Sequence, residues 1–197
     1  GTGYVQILSR QMAEGGRTVA HLNLSLPGAV LSPAIEQLAA TIGRPISSLA
    51  GNFIERQAPF VPTASTHVTL FAGGNDANTI GQAARAGHGG RDPNGFVDTQ
   101  VRQWGNDLGD LVARIRARTP NARLVALNLP NLAAAPYVSG YTTAEKQLMQ
   151  RVAVGLSDQV NALAGRNVLV VDLMCDPRLL QTSSYSSDGF HPNDTGY

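Results

Sequence analysis

Apolar residues gather in four short runs, at 18–26, 67–72, 122–129 and 167–173, each followed by Gly, Pro, Asn or Asp. Runs of that length closed by turn residues predict buried strands. Between them the apolar positions recur every three or four residues, which predicts helices over 4–14, 33–42, 46–57, 96–118 and 142–164. In the fourth of these, Phe96, Val101, Trp104, Leu108, Leu111, Val112 and Ile115 form a single stripe. Strands alternating with helices imply parallel pairing through crossover helices. The punctuation agrees: Thr142 or Thr143 can cap the helix carrying Glu145, Thr119-Pro120-Asn121 ends the one before it, and 86–95 has the composition of a loop.

No repeat or linker interrupts the pattern, so residues 1–197 read as one α/β domain. A doubly wound sheet normally has its first strand in the middle. Here Gly1-Thr2-Gly3 leads straight into a helix and Tyr197 stands where another helix is due, so a first strand and a last helix are expected outside these residues.

A hydrophobic fraction of 43% against 15% charged residues excludes a disordered chain. Net charge is +1, and the basic residues are scattered except for Arg114, Arg116 and Arg118, which end a helix where cations offset the macrodipole. No nucleic-acid partner is expected. No apolar run approaches the roughly eighteen residues of a membrane span. Cys175 is alone, so it forms no internal disulfide and is expected to be a small buried hydrophobe.

Ligands of such sheets sit beyond the carboxyl ends of the strands. Three stretches belong there: Asn23-Leu24-Ser25-Leu26-Pro27-Gly28, Gly73-Gly74-Asn75-Asp76, and Ser187-Asp188-Gly189-Phe190-His191-Pro192-Asn193. In the last, a carboxylate three residues before an imidazole allows Asp188 to bond His191 Nδ1, leaving Nε2 to take a proton from a nucleophile. An Asx-type surface turn with a solvated His fits the same residues. Asn75 Nδ2 and the backbone N–H of Gly28 suit a developing oxyanion, although Gly-Gly-Asn-Asp is also ordinary turn composition.

Taken in order, Gly after the first run, Gly-x-Asn-Asp after the second and Asp-x-x-His-Pro near the end resemble the pattern of the SGNH (GDSL-type) hydrolases, from residue 3 to residue 197. The resemblance implies a flavodoxin-like three-layer α/β/α fold with a parallel sheet and an esterase or lipase-like activity needing no cofactor and no metal. It also implies the roles: His191 as base, Asp188 as its orienting acid, Gly28 and Asn75 as oxyanion donors. The family's nucleophile lies in a Gly-Asp-Ser motif after the first strand. No Gly-Asp-Ser occurs within 1–197, so that serine is expected upstream of Gly1, with Gly1-Thr2-Gly3 as the tail of its loop.

No residue within 1–197 is assigned as nucleophile. Thr2 lies in a first turn that cannot hold attack geometry without its strand, Ser25 reads as a brace for the loop before Gly28, and Ser186 and Ser187 as braces for the Asp188 turn. His21, His67 and His88 lack the spaced partners of a metal site. Asp76 reads as an organiser of its own turn and Asp176 as a cap. Phe190, Tyr137, Tyr141 and Tyr185 are candidates for the wall of a pocket, and 86–95 for part of a lid. The expected partner is a small-molecule ester whose acyl group and alcohol the sequence does not specify, and a secreted or periplasmic location fits the resemblance. Two rivals remain: a non-catalytic module of the same fold binding an acylated sugar or lipid, and a flavodoxin-like phosphate binder, which lacks its Gly-rich loops.

Overall fold

The computed structural model describes residues 4–16 and 18–196. Three strands, β1 (His67–Phe71), β2 (Arg123–Leu127) and β3 (Leu169–Val171), form a parallel sheet in the order β1-β2-β3. His67 is in register with Arg123 and Val125 with Leu169. In the central strand Leu124 and Ala126 are buried while Val125 and Leu127 are half-buried, the period of two that a strand covered unequally on its faces requires.

Six α-helices surround the sheet: α1 (Tyr4–Glu14), α2 (Pro33–Thr41), α3 (Phe53–Arg56), α4 (Gly74–Arg85), α5 (Pro93–Arg118) and α6 (Thr143–Asn161). The crossover from β1 to β2 runs through α4 and α5, and that from β2 to β3 through α6. Helices α5 and α6 pack on each other and α4 packs on both. The stripe along α5 enters the core at Val101, Trp104, Leu108, Leu111, Val112 and Ile115, but Val97 is buried at its head and Phe96 only half-buried. Helix α1 buries no residue fully and touches the sheet through Tyr4, which meets Phe71 edge-on and hydrogen-bonds Thr69.

Caps follow the sequence. Thr142 and Glu145 form a reciprocal capping box, and Thr119 closes α5. The arginines of the last turns of α5 reach backbone carbonyls beyond their own helix: Arg116 donates to Ala122 and Asn167, and Arg118 to Val61.

Several expectations are corrected. Residues 18–26 form no strand; most are exposed, and Asn23 Oδ1 takes both the N–H and the hydroxyl of Ser25. A strand exists only where a neighbour accepts its backbone groups, and here the nearest pairing is a single parallel bridge from Val30 to Asn52. The helix expected over 46–57 shrinks to Phe53–Arg56, capped by Asn52. The helix expected over 142–164 ends at Asn161 and tightens into a 3-10 segment, Ala162–Arg166. Helix α4 was not legible as a helix at all. Cys175 is exposed, not buried; its backbone N–H faces Asp172, whose carboxylate holds the thiol pKa up. Gly1, Thr2 and Gly3 lie outside the described residues.

Candidate active site

The last stretch folds as a turn organised by one carboxylate. Asp188 Oδ1 accepts the backbone N–H groups of Phe190 (2.9 Å) and His191 (3.0 Å) and the Ser186 hydroxyl, while Oδ2 lies 2.6 Å from His191 Nδ1. These contacts, the imidazole first and the two backbone N–H groups next, hold the Asp188 carboxyl well below the usual carboxylate range. A carboxylate at Nδ1 leaves Nε2 as the basic nitrogen, and among the described residues nothing bonds it. Both side chains are solvent-accessible.

Gly189 makes the turn possible. Its φ is +69°, and a Cβ there would stand 2.8 Å from the backbone nitrogen of Tyr137. That nitrogen donates to the Gly189 carbonyl, pinning the turn to the segment after β2. Ser186 braces it as expected, bonding the His191 carbonyl through both backbone and hydroxyl. Asn193 secures the following strand-like bridge by donating to the carbonyls of Ser183 and Tyr185. Asp176 caps the 3-10 segment Pro177–Leu180 and pairs with Arg178, so it does not touch the His191 turn.

The other two stretches converge through α4. Gly73 ends the run after β1 at φ +115°, where a Cβ would press on Trp104 and Leu129, both buried. Asn75 then sits in the first turn of α4, and its Nδ2 donates to the Ala29 carbonyl at 2.9 Å. An amide nitrogen carries two protons, so this bond orients the side chain while one N–H stays available. Gly28 and Asn75 line the same cleft, of about 310 Å³. Phe190 closes the distance to the His191 turn: a Cβ on Gly74 would lie 3.7 Å from its ring, which also stacks edge-on against Tyr137 at 4.9 Å and against His191 at 5.0 Å. Tyr141 lies farther out, under the guanidinium of Arg85, and Tyr185 turns its hydroxyl to the Leu179 carbonyl.

Two supports escaped the sequence reading. Asp76 is enclosed, and its bonds reach well beyond its own turn; its Oδ1 accepts the Leu31 N–H at 2.8 Å and Trp104 Nε1 at 3.0 Å, and burial raises its pKa to about 6. It ties the Gly28 segment to α4 and α5. Asn128, fully buried at the end of β2, accepts the N–H groups of Leu173 and Met174 and donates to Asp172 and Asn161, fixing how the chain leaves β3. Asp76 belongs to the Gly-x-Asn-Asp stretch, but nothing local marks its distant partners, and Asn128 carries no local motif. His21, His67 and His88 lie apart: His21 bonds Ser9, His67 bonds Thr66, and His88 rests on Phe96. Among the described residues no group of three or more metal-ligating side chains occurs, and no helix is long and apolar enough to cross a membrane.

The arrangement therefore offers a carboxylate-oriented imidazole and, joined to its turn through Phe190 against Gly74, a cleft lined by Gly28 and Asn75. No curated protein matches the chain significantly. The crystal structure of an extracellular lipase from Streptomyces rimosus is similar in fold, with a TM-score of 0.50 at 15% identity over 81% of this chain and 80% of that one. The model of the GDSL-like lipase/acylhydrolase family matches residues 1–197, and the chain belongs to that family of hydrolases.

Proposed function

We propose that the protein hydrolyses carboxylic esters by acyl transfer to water through a covalent acyl-enzyme. The observation that carries this reading is the 2.6 Å contact between His191 Nδ1 and Asp188 Oδ2. His191 Nε2 removes the proton of a serine that we place upstream of Gly1, and the alkoxide attacks the ester carbonyl. Asp188 holds the ring and balances the imidazolium that forms. The tetrahedral oxyanion is met by the Gly28 N–H and the second Asn75 amide proton, and its collapse returns the proton from His191 to the departing alcohol. Water repeats the cycle and frees the acid. Membership of an acylhydrolase family supports the reaction class.

The test is turnover of p-nitrophenyl esters by the intact protein, combined with fluorophosphonate labelling and peptide mapping. One labelled serine and turnover that both vanish in His191→Ala support the proposal. An intact protein that neither turns over any ester nor takes the label overturns it.

A further inference from the structure

The cleft beside Gly28 and Asn75 has a chemical bias. Its polar rim consists of Arg44, Ser47, Asn78 and Thr79, and no carboxylate lines it. Arg44 forms no ion pair among the described residues. Asn78 Oδ1 is occupied by Gln82 Nε2 at 2.9 Å, which turns the amide so that Nδ2 is the free end. Ser47 Oγ already accepts the Ala50 N–H at 3.2 Å, so its own proton is what remains to give. Thr79 spends its hydroxyl proton on the Asn75 carbonyl. Two neutral groups with donors to spare, Asn78 and Ser47, and one positive charge without an ion pair, Arg44, thus line a small cleft with no carboxylate on its lining. Pro27, Pro45, Ile46 and Ala50 line the cleft as well and can pack a short alkyl chain, while its polar rim offers an oxyanion charge-assisted hydrogen bonds.

We propose that this cleft selects esters carrying a second, free carboxylate, with Arg44 as the specificity-determining residue, assisted by Asn78 Nδ2 and the Ser47 hydroxyl. The proposal rests on the assignment of Gly28 and Asn75 as oxyanion donors, because both line the cleft that Arg44, Asn78 and Ser47 also line. A carboxylate is preferred to a phosphate group because the loop between Gly43 and Ala50 offers no run of glycines whose N–H groups could cradle one.

The experiment compares monoethyl adipate with diethyl adipate as substrates of the intact protein, in the wild type, Arg44→Gln and Arg44→Lys. Wild type should favour the acid ester, and Arg44→Gln should lower the ratio of kcat/KM values about tenfold, mainly through KM, the scale of one charge-assisted hydrogen bond. Arg44→Lys should restore part of the preference, and added salt should erode it. Calorimetric titration of adipate into the same three proteins provides a readout that needs no turnover. If no ester is hydrolysed but adipate binds and Arg44→Gln abolishes binding, the esterase reading fails and the carboxylate site stands. Equal preference in wild type and Arg44→Gln, together with adipate binding that ignores the substitution, overturns the site. Inorganic phosphate binding more tightly than adipate overturns the choice of carboxylate.

Discussion

Trp104 donates its indole N–H to Asp76 across 3.0 Å in the middle of the core, and the same carboxylate oxygen takes the N–H of Leu31. A buried carboxyl whose pKa has risen from 3.8 to about 6 holds its proton longer in the folded chain than in the unfolded one. The folded state is therefore the better proton binder between those two values, and stability falls as pH rises from about 4 to about 6, then levels off. Thermal melts across that range should show the slope, and Asp76→Asn should flatten it. Asp76→Ala strands two buried N–H groups and should cost about 1–3 kcal/mol.

Asp188→Asn keeps the size of the side chain but can present an amide N–H to Nδ1, favouring the wrong tautomer of His191. Turnover should drop by roughly two to four orders of magnitude with little change in KM. Because its partners hold the Asp188 carboxyl below the ordinary range, an activity loss on mild acidification belongs to another group. A pH-rate profile of Asp188→Asn that matches wild type in height would remove Asp188 from the mechanism.

Asn75→Ala deletes the proposed oxyanion donor together with the bond to Ala29. The expected loss is about 10²–10³ in kcat. A change confined to KM would mark Asn75 as a substrate-binding residue.

Gly189→Ala places a methyl group 2.8 Å from the Tyr137 nitrogen at a φ of +69°. The turn must shift, so activity should fall well beyond any fall in melting temperature. Matching losses in both would show that the substitution acts on the fold as a whole.

What was legible in the sequence was whatever is encoded over a few neighbouring positions. Helices α5 and α6 announce themselves through the stripe ending at Ile115 and the Thr142–Glu145 box. Helix α4 does not, since it packs with small residues: a Cβ at Gly81 would overlap Met149 of α6, so the helix carries few large apolar side chains to betray a period. The run at 18–26 has the composition of a strand but lacks the neighbour that makes one, and no local pattern reports a neighbour. At the site, Asp188 and His191 were readable because the bonds between them span three residues. The meeting of Gly28 with Asn75 rests on a bond from Asn75 to Ala29, 46 residues away, and it was anticipated only by the rule that ligands sit beyond strand ends and by resemblance to a family. Asp76 and Asn128 act over comparable separations, and no local pattern reports their partners.

The two halves of the site therefore obey different rules of inheritance. The half proposed to handle the proton is a short peptide, Ser186 to His191, most of whose bonds are made among its own residues. The half proposed to frame the substrate exists only when distant segments fold against one another. On the proposed reading, substitutions in the segments flanking α2, residues 27–28 and 44–47, can thus redraw which molecules are accepted while the Asp188–His191 pair stays in tune, a division of labour that lets specificity drift without a loss of chemistry.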